Sequence, residues 1–417
     1  MSLLLPQSVT DRPFAPVRIP GSKSATNRAL PLAALAPGAS RLEAPLEAED
    51  TWAMRACLEA CGVAIRAGEG AWHLEGGAPV APTRPLPVGA SGTTLRFLLP
   101  WAALHLGGEV AFQGDVRLFE RPLAPLMAAL EPLGCTWRSH EGGGILQAPE
   151  PRSRAWELVV DPSLSSQFVS GLALALARHG GRLRWDRPVA SATYLEMTAH
   201  WLEAFGCSNR LGDHGWEIEG GLAPRNLAIP GDWSGAAAFL AAAAVTGRPA
   251  RIGPLDAGEP QGDRAMLEIL AQAGCGVDII NDSIMMSGTL KGGLMADLTL
   301  CPDLGPVLAA TAALAPAPSV LTGLHTLPLK ECDRLDASAE LVRWLGGAAV
   351  IEGDHTLRIT PGPRPGERAA FNPRNDHRMA FAAAVGALCT GGALEQPGCV
   401  AKTFPGFWEV WAPFIAG

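Results

Sequence analysis

Five glycines fall at almost equal intervals along this chain of 417 residues. Gly62, Gly134, Gly206, Gly274 and Gly346 each close a helical stretch and precede a short strand, a polar turn and a second strand, as in "AELVRWLGGAAVIEGDHTLRIT". Their spacings are 72, 72, 68 and 72 residues. A glycine in that place has a physical task, because a positive φ ends a helix and only glycine adopts it without a Cβ penalty. The residues behind it alternate, Ala349 and Ile351 and then Leu357 and Ile359 across "EGDH", with the two-residue period of a hairpin. Each repeat therefore joins helix to sheet.

One further step of 71 residues reaches Gly417, after the helical stretch "GFWEVWAPFIAG". A sixth unit thus has a helix and no hairpin behind it, and the N-terminal segments "SLLLPQSV" and "APVRIP" are expected to supply its missing strands. That arrangement puts both chain ends in one domain. The expected division is residues 1–19 with 231–417 as one domain and 20–230 as an inserted one, three units in each, with hinges near Pro20 and Pro230.

Lys+Arg 33 against Asp+Glu 41 leaves a net charge of -8, which argues against a nucleic-acid or acidic-membrane partner, since either needs a basic surface. Any anion must be bound locally. Nine cysteines without a CxxC pair, and without histidines at ligand spacing, suggest neither disulfides nor a metal site. They read as thiols of a reducing cytoplasm. The start, "MSLLLPQSVTDRPF", lacks the features of a secretory signal, and the longest apolar run, Gly235 to Gly247, is too short to span a bilayer.

Local anion binding is what the polar stretches suggest. "IPGSKSATNRALPLAAL" sets Lys23 and Arg28 at the start of an apolar helix, where cations oppose the helix dipole unless an anion is there too. It is not a P-loop, since Ser22 and Val17 stand where that motif needs glycines. "GASGTTLRFLLPWAAL" is a glycine and hydroxyl loop able to form a nest of backbone N–H groups, and Thr93 rules out the GxSxG elbow. "GDVRLFERPL" brings Arg117 and Arg121, and "DPSLSSQF" brings Ser165, Ser166 and Gln167. "PLKECDRL" brings Lys330, Glu331 and Arg334, "NPRNDHRM" brings Arg374, Asp376, His377 and Arg378, and "CVAKTFPGF" brings Lys402. Each alone fits a capped helix or a solvated face. If the buried helices aim their N-termini at one place, together they make a strongly positive hollow. Acids in such a setting, Glu331 and Asp303, are candidates for proton transfer, Asp303 fitting equally well as a plain helix cap.

Taken in order, "PGSKSATNRAL", "GASGTTLRF", "GDVRLFERPL", "SSQF", "LKECDRL", "NDHRMA" and "AKTFPGF" closely resemble the 5-enolpyruvylshikimate-3-phosphate (EPSP) synthase family over essentially the whole chain. The resemblance implies a mixed α/β chain with the two-domain enolpyruvyl transferase fold. In it each domain holds three βαβαββ units as an inside-out α/β barrel, and the active site lies in the cleft between the domains. It implies transfer of the enolpyruvyl group of phosphoenolpyruvate to the 5-hydroxyl of shikimate 3-phosphate, by a monomer without metal or organic cofactor. Carried over by motif, Lys23, Gly92, Arg121, Gln167, Arg334, Arg378 and Lys402 would hold phosphoenolpyruvate. Lys23, Ser24, Arg28, Ser165, Ser166, Gln167, Ser191, Asp303 and Lys330 would hold shikimate 3-phosphate, with Tyr194 lining that side. Asp303, Glu331 and Lys23 would share the proton transfers.

There are departures from the family pattern. Ala90 stands where many members have asparagine, and Phe97 where proline is common. Gly92 is kept, which leaves room for the herbicide glyphosate. Two other readings share the fold: a UDP-N-acetylglucosamine enolpyruvyl transferase, usually marked by a loop cysteine that "GDVRLFERP" lacks, and an inactive anion-binding protein.

Overall fold

The computed structural model of the chain describes residues 2–7, 12–151 and 155–416. They form two compact units, one running to Pro20 and resuming at Pro230, the other Gly21–Ile229. All five repeat glycines end their helices with positive φ: 84° at Gly62, 90° at Gly134, 83° at Gly206, 102° at Gly274 and 93° at Gly346. Gly417 lies outside the described residues, but the helix before it, Phe407–Ala416, is present. Among the described helices none is long and apolar enough to cross a membrane.

A hairpin follows each of the five glycines, Ala64–Gly68 with Ala71–Gly76 in the first repeat and Ala348–Glu352 with Thr356–Thr360 in the fifth. It adds to a strand that entered the repeat earlier, and that strand takes a parallel neighbour on its far side. Five four-stranded sheets share this order. In the first, Gly38–Glu43 runs antiparallel to Ala71–Gly76, with Leu42 opposite Trp72 and Ser40 opposite Leu74, and parallel to Asn226–Ala228. Those four facing side chains are buried while Arg41 and His73 point the other way, which is the alternation of a sheet covered on one face.

The N-terminal strands divide differently from the sequence-based expectation. Leu3–Leu5 does complete the sixth unit, pairing antiparallel with Gly392–Leu394, to which Phe371 bridges in parallel. Val17–Arg18 does not. It lies parallel to Ala250–Gly253, as the outer strand of the fourth sheet. The backbone explains why: Ile19 N–H bonds Gly253 O at 2.8 Å and Pro20 O accepts from Asp232 N–H at 3.0 Å, so the peptide groups of this segment are used by the fourth repeat. Ser8 and Val9 of "SLLLPQSV" lie outside the described residues. Asn226–Ala228 plays the mirror role for the first sheet, so each passage between units ends a sheet in one unit and starts a buried helix in the other.

Three helices fill the core of each unit. Lys23–Leu35, Gly92–His105 and Ser166–Leu176 pack on one another in the inserted unit, and Trp233–Thr246, Gly305–Ala313 and His377–Thr390 do so in the other. They are apolar on nearly every face, as helices enclosed on all sides must be. Enclosure leaves their first N–H groups without water, so the chain supplies caps. Ser22, Ser91 and Ser165 accept from Ala25, Thr94 and Gln167, and Asp232 and Asp376 accept from Ser234 and Arg378.

Gly346 and Gly70 separate backbone strain from steric clash. Both have positive φ, but a Cβ on Gly346 would stand 2.2 Å from the Pro363 carbonyl oxygen, whereas one on Gly70 meets nothing within 4 Å. Gly70→Ala is expected to cost about 1–2 kcal/mol, the left-handed penalty alone. Gly346→Ala is expected to cost more than this, read as the difference in urea midpoints, and equal losses would remove the assigned role of that close approach.

Candidate active site

In the inserted unit the motif residues gather at helix N-termini. Lys23 is the first residue of its helix, and its Nζ lies 3.1 Å from Oδ2 of Asp50, a buried acid in the first turn of the Glu49–Ala60 helix. Five residues on, Arg28 reaches across to the Thr193–Ala204 helix: Nε donates to Thr198 Oγ1 at 2.8 Å and Nη2 to the Tyr194 carbonyl at 3.1 Å. Nη1 turns back to the Ser24 carbonyl at 3.0 Å. Gln167 links two further helix starts, donating from Nε2 to Thr93 Oγ1 at 3.2 Å and accepting at Oε1 from Arg96 Nη1 at 2.7 Å. Its own N–H is capped by Ser165, and Ser166 beside it is buried.

Arg121 comes to the same helix start as Thr93. A Cβ placed on Gly92 would be 2.8 Å from its Nη1, so glycine there is what allows the guanidinium to approach the backbone. Ser191 is buried with φ 55°, a left-handed conformation uncommon for serine, and its carbonyl accepts from Tyr194 N–H at 3.1 Å. Of the motif residues in this half of the chain, Lys23, Ser24, Gly92, Ser165, Ser166, Gln167 and Ser191 thus sit at or near helix starts and Arg121 reaches one, whereas Arg28 lies in the second turn of its helix and Arg117 is exposed, pairing with Glu120 at 3.1 Å.

In the other unit the organising group is Arg334, which is almost completely enclosed. Its Nε and Nη2 grip Asp376 at 2.7 and 3.1 Å, Nη1 lies 2.8 Å from Asp303 Oδ1, and Nη2 lies 2.7 Å from Glu331 Oε2. Three carboxylates hold the guanidinium charge firmly, raising its pKa further. Asp303 also meets Lys330 at 3.2 Å and Arg378 at 3.3 Å, and Glu331 meets Lys402 at 3.2 Å. Burial alone pushes the Asp303 carboxyl up, but Arg378, Lys330 and Arg334 outweigh it and hold the group well below the usual carboxylate range.

Asp303 is not a helix cap. The residue before the Gly305–Ala313 helix is Leu304, without a side-chain cap bond, and Asp303 lies in the preceding turn with its carboxylate turned to the three cations. Behind Arg378 a polar chain continues inward. Its Nη2 donates to Ser234 Oγ at 3.2 Å, Ser234 Oγ donates to Asp263, and Gln261 Nε2 bonds both Ser234 Oγ at 3.0 Å and Asp232 at 2.8 Å. Burial pushes the Asp263 carboxyl up, to about 6, against the pull of Arg378 and with a further push from Asp303.

A model of the EPSP synthase family (3-phosphoshikimate 1-carboxyvinyltransferase) matches residues 11–411, a span that contains each of these groups. The chain belongs to the EPSP synthase family. Its relatives include the 3-phosphoshikimate 1-carboxyvinyltransferase of Methanoculleus marisnigri, 38% identical over 410 residues that cover 94% of each protein. That of Thiobacillus denitrificans is 35% identical over 415 residues, 95% of this chain and 96% of the other. Among solved structures, the EPSP synthase of Acinetobacter baumannii superposes with a TM-score of 0.77 at 25% identity, covering 99% of this chain and 97% of that one. The enolpyruvyl transferase NikO of Streptomyces tendae, at 18% identity and a TM-score of 0.76, shares the fold.

As an EPSP synthase family member the chain is a transferase with the mixed α/β enolpyruvyl transferase fold. Within the unit that holds both chain ends, the expected strongly positive hollow is instead a balanced one. Lys330, Arg334, Arg378 and Lys402 face Asp303, Glu331, Asp376 and Asp263, so an anion there would exchange partners with carboxylates rather than meet bare charge. The motif reading gave no role to Asp50, Asp263 or Arg96, and left Asp376 as one residue of a motif. For Asp376 a signal was present, since an aspartate immediately before an alanine-rich helix is a cap. For Asp50 and Asp263 none was, because their partners lie 27 and 115 residues away in the sequence.

Asp376 both caps its helix and pairs with Arg334, so its removal leaves a buried cation short of a partner. Asp376→Ala is expected to lose about 3–5 kcal/mol in urea unfolding. A loss below 1 kcal/mol, roughly the worth of a cap alone, would show that the pair with Arg334 adds nothing.

Proposed function

We propose that this chain transfers the enolpyruvyl group of phosphoenolpyruvate to the 5-hydroxyl of shikimate 3-phosphate in the shikimate pathway, releasing inorganic phosphate. The observation that carries the reading is the family match, unbroken over residues 11–411. In the inserted unit, Lys23, Gly92, Arg121 and Gln167 serve phosphoenolpyruvate, and Lys23, Ser24, Arg28, Ser165, Ser166, Gln167 and Ser191 serve shikimate 3-phosphate. In the other unit, Arg334, Arg378 and Lys402 serve phosphoenolpyruvate, and Asp303 and Lys330 serve shikimate 3-phosphate. The protein acts as a cytoplasmic monomer, without metal or organic cofactor.

The chemistry runs by addition and elimination. The 5-oxygen forms a bond to the central carbon of phosphoenolpyruvate and gives up its proton, while the methylene carbon takes one and becomes a methyl group. Phosphate then leaves with the electrons of its C–O bond, and the methyl carbon returns a proton to restore the double bond. Asp303 accepts the hydroxyl proton: Arg378, Lys330 and Arg334 hold it ionised, and its basicity rises as bound anions draw those cations away. Glu331 and Lys23 serve the methylene carbon, Glu331 being held in place by ion pairs with Lys402 at 3.2 Å and Arg334 at 2.7 Å. The sugar-nucleotide acceptor has no counterpart observation in its favour.

The test is phosphate release from phosphoenolpyruvate with shikimate 3-phosphate, with UDP-N-acetylglucosamine as the parallel acceptor. Release is expected with shikimate 3-phosphate alone, and Glu331→Gln is expected to lower its rate by about 10²–10⁴-fold. Activity only with the sugar nucleotide would change the acceptor, and silence with both would favour a binding protein. Gly92 is retained beside Arg121, so micromolar glyphosate is expected to inhibit in competition with phosphoenolpyruvate; no inhibition at millimolar concentration would sink that part of the proposal.

A further inference from the structure

The turn that leads into the His377–Thr390 helix has an uncommon backbone. Arg374 and Asn375 both have φ 55°, two consecutive left-handed residues of which neither is glycine. Asparagine tolerates that region, whereas arginine meets the full steric penalty of its Cβ. Such a conformation persists only where the surroundings over-determine it. Here side chains do so. Asn372 Oδ1 accepts from Arg374 N–H at 2.8 Å, and Gln396 Oε1 accepts from Asn375 N–H at 2.9 Å. The sequence motif sets Arg374 among candidate anion-binding cations, but its Nη2 donates to Asp336 Oδ2 and Glu340 Oε2, each at 2.7 Å.

Those two acids are four residues apart, one turn from each other on the Arg334–Trp344 helix. The same helix begins with Arg334, whose guanidinium grips Asp376. Turn and helix are therefore joined twice with the charges reversed: Asp376 of the turn takes the arginine of the helix, and Arg374 of the turn takes its acids. Two attachments fix direction as well as distance. The residue that leaves the turn in that direction is Arg378, which meets Asp303 at 3.3 Å and Ser234 Oγ at 3.2 Å. The inner attachment is buried, while the side chains of the outer one are between 35% and 54% exposed. An exposed pair of this kind contributes no more than the strain of one left-handed residue removes, so its effect lies in where the turn points rather than in stability.

We propose that Arg374 is a positioning residue for phosphoenolpyruvate: by clamping the left-handed turn to Asp336 and Glu340, it sets the direction in which the His377–Thr390 helix presents Arg378. The proposal rests on the assignment of Arg378 to phosphoenolpyruvate made above. Arg374 acts through Arg378 and not on the reacting atoms, so its effect belongs to donor binding and not to the chemical step.

The experiment compares Arg374→Ala, Arg374→Gly and Arg374→Lys by phosphate release, with KM measured for each substrate at saturation of the other. Arg374→Ala keeps the strained backbone and loses the clamp. It is expected to raise the KM for phosphoenolpyruvate about two- to five-fold, with kcat and the KM for shikimate 3-phosphate unchanged. Arg374→Gly loses the clamp too but reaches the left-handed region without penalty, so its KM is expected to lie between those of the alanine variant and the wild type. Arg374→Lys keeps the charge and is expected to stay nearer the wild type than alanine does. Asp336→Asn combined with Glu340→Gln is expected to reproduce the alanine value, and adding Arg374→Ala to that pair is expected to raise it no further. Urea midpoints identify any variant that has lost its fold. An unchanged KM for phosphoenolpyruvate in Arg374→Ala, or an equal rise for both substrates, overturns the inference alone. A wild-type protein that turns over phosphoenolpyruvate with neither acceptor ends the assignment of Arg378, and the inference falls with it.

Discussion

A helix buried on every side has to find hydrogen-bond partners for its first N–H groups without the help of water, and much of this protein is arranged around that constraint. Six such helices form the two cores. Ser22, Ser91, Ser165, Asp232 and Asp376 cap five of them, and the sixth is entered through the turn at Pro302–Leu304. Each cap occupies a stretch where hydroxyls, amides and charges already had to be. Capping a buried helix and building a binding site for anions draw on the same residue types and the same place, the positive end of the dipole.

Charge is handled in two ways once it is there. Arg334 is satisfied internally, by Asp376 from the start of one helix, Asp303 from the turn before another and Glu331 from its own approach. That arrangement ties the elements of one unit together, and it holds Asp303 ionised. Arg28 donates to a hydroxyl and two backbone carbonyls and lies over two ring faces. Lys23 meets the buried Asp50 at 3.1 Å.

Much of this was legible in the sequence because it is local. The glycine period, the helices closing at Gly62 to Gly346 and the hairpins behind them depend on φ preferences and alternation within about ten residues. The site residues were legible through their motifs, each of which places its cations or hydroxyls beside a helix start. What misled was topology: "APVRIP" has the composition of a strand, and composition does not say which sheet it joins. Its place beside Ala250–Gly253 follows from hydrogen bonds to Gly253 and Asp232, more than 200 residues away.

The sequence by itself determined the repeat, the mixed α/β character and the positions of the candidate site residues, since each is written in short-range patterns of backbone preference and side-chain type. Only the tertiary structure decided which charges meet. Asp303 became a partner of Arg334, Lys330 and Arg378 rather than a cap, Asp376 became both cap and counterion, and Phe97 came to lie beneath Arg28. Electrostatic and ring contacts act at a few ångströms in space and are indifferent to separation along the chain, so they exist only once the helices that carry them have packed.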